Sequence, residues 1–143
     1  MTLYVVDASV LVRRILPNQP LGDKALRFFS QQDDESALEL AAPDLIYVEC
    51  ASALWKYARF ANLDAHAAAL HLGQVFQLPI LTTPTPLLVD RALALGLARG
   101  MSVYDACYVA LAESLGCALV TADERLVRQA GGGRAKVEWL GDL

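Results

Sequence analysis

The stretch from Ser102 to Leu126, SVYDACYVALAESLGCALVTADERL, leaves few folds open to this chain. It reads as a buried helix, a turn at Leu115-Gly116-Cys117, a short strand Ala118–Thr121 and the start of a second helix. Two carboxylates stand at its joints, Asp105 in the first turn of the helix and Asp123 just past the strand. Both have a plain structural reading. Ser102-x-x-Asp105 and Thr121-x-x-Glu124 fit the capping box, and Asp123 suits the cap of the helix that follows. Two more acids, Asp7 and Glu49, lie in equally apolar runs earlier in the chain, and helix capping does not account for all four.

The rest of the chain repeats the alternation. Leu3–Val6 is a β-rich run ending at Asp7, followed by a short helix from Ala8 toward Leu16 that Pro17 stops. A second helix opens at Asn18-Gln19-Pro20 and runs to about Gln32, then gives way to the acidic loop Gln31–Ser36. Leu38–Ala42 is a second strand. Pro43-Asp44 starts a long helix reaching about Ala61, in which Glu49 falls mid-helix with no basic residue three or four positions away. An ionised carboxylate buried there needs a cation or an altered pKa. Asp64 starts the next helix, which pairs with its predecessor either as a dimerising αα-hairpin or as a satellite of the core. Pro79–Thr83 is a third strand, Thr85-Pro86 caps and opens a helix, and Gly100 ends it. After Gly131-Gly132-Gly133, the last strand spans Lys136–Leu140. Short strands alternating with helices specify parallel βαβ units, and 143 residues make one domain, 1–143. At 55% hydrophobic residues, several runs must be buried on both faces.

Composition excludes several classes. Cys50, Cys107 and Cys117 form no C-x-x-C pair and read as small buried thiols. His66 and His71 have no zinc-site spacing. There is no P-loop and no G-x-S-x-G. A formal net charge of −4 is not the footprint of a strong nucleic-acid binder, so a nucleic-acid substrate requires a local cation or a small basic rim. The N-terminal MTLYVVDASVL lacks a basic leader region, and no run is long enough for a membrane span. A soluble, cytoplasmic protein is expected.

In open parallel sheets, ligands bind outside the carboxyl ends of the strands. Asp7 and Asp123 both follow strands, and Glu49 and Asp105 can reach the same edge from helices. Four gathered carboxylates require protonation or a divalent cation. Mg²⁺ or Mn²⁺ bound by oxygen ligands suits phosphodiester hydrolysis by activated water.

VVDASVL, VECASALW, SVYDACYVALAESLG and ALVTADERL, in that order over nearly the whole chain, resemble the PIN domain, and in particular the VapC-type toxin ribonucleases of type II toxin–antitoxin systems. The resemblance implies a three-layer α/β/α sandwich around a central parallel sheet of four to five strands. It implies a Mg²⁺- or Mn²⁺-dependent endoribonuclease, a homodimer, and a cognate VapB-like antitoxin lying in the active-site groove. The family's acidic quartet falls on Asp7, Glu49, Asp105 and Asp123, as catalytic and metal-holding residues, and its hydroxyl positions fall on Ser9 and Thr121 behind them. Arg13, Arg14 and Arg125 follow acid positions and are candidates for RNA phosphate contacts. The competing readings are a silent PIN-fold module that binds RNA or protein, and a metal-dependent DNA nuclease or phosphatase on the same scaffold.

Overall fold

The computed structural model describes residues 2–33 and 38–143. Five strands, β1 (Thr2–Val6), β2 (Leu38–Pro43), β3 (Ile80–Thr83), β4 (Ala118–Thr121) and β5 (Val137–Trp139), form one sheet in the order β3-β2-β1-β4-β5. Every adjacent pair is parallel. The helices are α1 (Ala8–Ile15), α2 (Gly22–Ser30), α3 (Ile46–Phe60), α4 (Ala65–Gln77), α5 (Val89–Arg99), α6 (Val103–Leu115) and α7 (Glu124–Ala130). The chain steps from β1 outward through β2 to β3, then crosses back to β4 and β5. With right-handed crossovers, that reversal puts α1–α4 on one face and α5–α7 on the other. The result is the α/β sandwich expected from the alternation of elements. Between the two helical layers the central strands are dry, with Val5, Val6, Leu119 and Val120 at 0% exposure. Among the described residues no helix is long and apolar enough to cross a membrane.

Local chemistry explains where most elements stop. Ser102 and Asp64 cap α6 and α4 through side-chain bonds to the backbone N–H groups of Asp105 and Ala67. Gly100 and Gly116 end α5 and α6 at φ 74° and 64°, the left-handed conformation that a residue without Cβ adopts freely. Cys50 and Cys107 are buried and Cys117 half-buried, all as free thiols.

Four boundaries differ from the sequence reading. α2 starts at Gly22, with Pro20 in the preceding turn, because Leu21 takes a positive φ of 67° and breaks the approach. Pro43 is the last residue of β2, so α3 begins at Ile46. Thr85–Leu87 is a single 3-10 turn before α5, and the Thr85 hydroxyl and N–H donate to the Asp44 carboxylate. β5 closes at Trp139, and Leu140 opens a terminal 3-10 turn. Of the acidic loop, Gln31–Asp33 forms a 3-10 turn, and Asp34 to Ser36 lie outside the described residues.

The turn between α1 and α2 is tightly built. A Cβ placed on Gly22 would meet the Pro17 carbonyl oxygen at 1.7 Å. Gly22→Ala must therefore push the turn open, at a cost of about 1–3 kcal/mol. The expected result is a melting temperature lower by several degrees in a thermal unfolding scan; an unchanged value would show that the turn yields freely.

Candidate active site

All four acids singled out in the sequence stand at helix N-termini. Asp7 is the N-cap of α1 and Asp123 the N-cap of α7. Glu49 is the fourth residue of α3 and Asp105 the third of α6. Glu49 is thus in the first turn rather than mid-helix, a direct result of α3 starting at Ile46. Helix N-termini carry partial positive charge from unpaired N–H groups, which favours nearby carboxylates. Capping and site-building are one arrangement here. β1 and β4 are adjacent, and their boundary is where the strand order reverses, the crevice in which ligands bind in such sheets.

Register dictates the centre of the site. Val6 pairs with Val120, so the next residues, Asp7 and Thr121, meet across the strand ends. Thr121 is fully buried, and its hydroxyl donates to Asp7 Oδ2 at 2.5 Å. Ser9 Oγ donates to Asp7 Oδ1 at 2.5 Å, and the Val10 N–H also reaches Oδ1, at 3.3 Å. Both hydroxyl oxygens are held in turn by backbone: the Ala122 N–H donates to Ser9 Oγ at 2.9 Å and the Asp123 N–H to Thr121 Oγ1 at 3.0 Å. Thr121 therefore serves Asp7, and the Thr121-x-x-Glu124 capping box does not form. Asp7 is 5% exposed. Burial pushes its carboxyl up to about 6, against the pull of Ser9, Thr121 and Val10, with Asp105 adding repulsion.

Asp105 links the other three acids. Its own carboxyl is raised, first by burial and then by Asp123, while Ser102 and Arg125 pull the other way. Glu49 is raised by burial and by Asp105, and the Tyr108 hydroxyl, which donates to Glu49 Oε1 at 2.6 Å, offsets part of this. The four acids form a chain of like-charged neighbours. Of these four acids, only Asp123 has an ion-pair partner among the described residues, Arg125 at 3.8 Å. They are not a closed cage, since no three such side chains among the described residues stand near enough to hold an ion by themselves. In donor type the carboxylates match Mg²⁺ or Mn²⁺, which take oxygen ligands, Mg²⁺ in particular keeping several of its waters. The buried, uncompensated Asp7 carboxylate fits such a cation: a positive charge there would offset its desolvation.

A groove of about 540 Å³ leads away from Glu49 and Ser9 between α1 and α3. Arg13 and Lys56 are on its walls, and Phe60 stands at its far end. The three arginines named from sequence fare differently. Arg13 borders the groove, but its guanidinium is engaged by the carbonyls of Ser9 and Pro20. Arg125 is at the rim beside Asp123. Arg14 faces a separate hollow lined by Ile15, Gln74, Gln77 and Leu78, and does not join the acids. Lys56 and Tyr108 were missed in the sequence; the first looks like any helix-surface lysine and the second like a core aromatic. Burial pushes the Cys50 thiol up to about 12, which leaves it unsuited to nucleophilic work.

The fold and its acidic crevice define a parallel-sheet α/β domain with a carboxylate site at the switch point. Residues 4–132 match the PIN domain family, and the chain belongs to that family. It is 37% identical over 128 residues to a protein named ribonuclease VapC3 from Pyrobaculum aerophilum, covering 87% of this chain and 92% of that one. It is 38% identical over 129 residues to one named exonuclease VapC9 from the same organism, covering 90% and 86%. The crystal structure of PAE2754, also from Pyrobaculum aerophilum, superimposes with a TM-score of 0.69 at 29% identity, over 99% of this chain and 85% of that one.

Proposed function

We propose that this chain is a VapC-type toxin endoribonuclease that hydrolyses RNA phosphodiester bonds with a divalent cation, Mg²⁺ or Mn²⁺. The observation that carries the reading is a set of four carboxylates linked electrostatically through Asp105, three of them without an ion-pair partner among the described residues. When bound, the cation would supply an activated water and positive charge for the phosphoryl and leaving oxygens. Asp7, Asp105 and Asp123 would hold it, directly or through water, and Glu49 would anchor its water shell. Ser9 and Thr121 fix both oxygens of Asp7, so this carboxylate cannot rotate away from the site. Arg125 at the rim and Lys56 in the groove offer positive charge to the phosphates on either side of the scissile bond. Two protein partners follow from the same family: an antitoxin segment in the groove and a second copy of the chain. Exposed Trp55 and Phe60 on α3, and Leu93 and Leu97 on α5, provide apolar surface for them.

The test is incubation of the purified chain with single-stranded RNA, circular RNA, single-stranded DNA and a small phosphoester, with Mn²⁺, Mg²⁺ or chelator. Cleavage of RNA, including the circle, that chelator abolishes is the expected result. A linear-only substrate range would make the enzyme an exonuclease. RNA binding without turnover would make it a silent module, and preference for DNA or the phosphoester would replace the substrate. Lys56→Glu should raise KM for RNA about fivefold or more, with kcat near wild type, because it reverses a phosphate-facing charge remote from the reacting bond. Equal KM values would take the groove out of the RNA path.

A further inference from the structure

Tyr108 sits three residues after Asp105 on α6, hence on the same side of that helix. It is 1% exposed and the largest fully buried side chain of the fold. Its hydroxyl reaches across to α3 and donates to Glu49 Oε1 at 2.6 Å. Burial, reinforced by the Glu49 charge, pushes the phenol well above its ordinary range, so at neutral pH it acts only as a donor toward the carboxylate. Glu49 has no ion-pair partner among the described residues. Asp105 repels it, and it also lines the groove that holds Lys56 and Arg13. Unrestrained, the side chain would relieve that repulsion by turning into the groove, toward positive charge and water.

We infer that Tyr108 is a positioning residue: its hydroxyl ties up Oε1 of Glu49 and so keeps the carboxylate beside Asp105, with Oε2 left for the divalent cation or its water. The inference rests on the nuclease reading above and adds a member to its site. A buried tyrosine that merely found an acceptor is the competing explanation, and the two differ in what happens when Glu49 loses its charge.

The experiment is a cycle of four proteins: wild type, Tyr108→Phe, Glu49→Gln and the double variant. Mn²⁺ affinity of each is read by electron paramagnetic resonance of the free ion, alongside KM and kcat for RNA and a melting curve. Phenylalanine keeps the ring, so the core remains packed. Tyr108→Phe should weaken Mn²⁺ binding about tenfold or more, lower kcat and leave KM for RNA near wild type. In the Glu49→Gln background the same change should do nothing further to Mn²⁺ affinity. A Tyr108→Phe protein binding Mn²⁺ within twofold of wild type would overturn the positioning role. So would an equal loss in both backgrounds, since Tyr108 would then act on the site through packing alone. A wild type that neither binds Mn²⁺ nor cleaves RNA would overturn the nuclease reading, and this inference with it.

Discussion

Asp7→Asn should melt at a higher temperature than the wild type at pH 7 in chelator, while cleaving RNA at least about a hundredfold more slowly. The stability half of this result follows from burial. Asp7 is 5% exposed and its carboxyl is pushed up to about 6 from an ordinary 3.8. Between those values the folded protein holds a proton that the unfolded chain has released. Stability therefore falls as the pH rises through that window, and near pH 7 the ionised group costs on the order of 2–3 kcal/mol. An asparagine carries no charge to desolvate. The Ser9 and Thr121 hydroxyls can turn so that one donates to its Oδ1 and the other accepts from its amide. Some of that cost should be recovered, raising the melting temperature by a few degrees, and the gain should vanish near pH 4, where the wild-type carboxyl is protonated too. Excess Mn²⁺ should reverse the order, because only the wild type gains stability by binding the ion. A variant less stable than wild type at pH 7 in chelator would show that hydrogen bonds, not desolvation, dominate at Asp7. A variant that cleaves normally would remove Asp7 from the site.

Thr121→Val has the opposite sign and a larger effect on the fold. Valine matches the shape of threonine but lacks its hydroxyl. Its loss strips Asp7 Oδ2 of a donor at 2.5 Å and the Asp123 N–H of an acceptor at 3.0 Å, at a position with 0% exposure. Leaving a buried carboxylate oxygen and a half-buried N–H unsatisfied costs about 2–4 kcal/mol, a drop of about 5–15 °C in melting temperature for a domain of this size. Thr121→Ser should recover most of it. In an Asp7→Asn background the penalty should shrink, since the oxygen left unpaired is no longer charged. Thermal scans of the single and double variants give the answer. A mild effect that is equal in both backgrounds would mean that the hydroxyl is not what holds Asp7.

The parts of this molecule that sequence made legible are those in which one residue type has one job. The β-rich run into Asp7, the apolar helix closed by Gly116 and the caps at Ser102 and Asp64 all appear where periodicity and turn chemistry placed them. The four acids are conspicuous because each interrupts an apolar run, although Glu49 stands in the first turn of α3 and not mid-helix. The misplaced boundaries have a common cause. Pro43 and Thr85-Pro86 are good helix openers by local preference, yet each is claimed by a tertiary contact: Pro43 by pairing with Thr83 on β3, and Thr85 by the Asp44 carboxylate. Moving the start of α3 to Ile46 changes the meaning of Glu49, from an unsupported charge inside a helix to an acid at its positive end. Tyr108 and Lys56 could not be found from the sequence, because their significance lies in what faces them across the fold. Arg14 shows the reverse error: next to Arg13 in sequence, it points to a different surface.

The claim on which the rest depends is that Asp7, Glu49, Asp105 and Asp123, brought to one edge by the ends of four helices, make a single divalent-cation site. Mn²⁺ titration of the wild type and of the four single variants Asp7→Asn, Glu49→Gln, Asp105→Asn and Asp123→Asn, followed by electron paramagnetic resonance, tests it without reference to any substrate. One strong site in the wild type, weakened in every variant, is the predicted outcome. No binding by the wild type, or a variant set in which only one carboxylate matters, would contradict it.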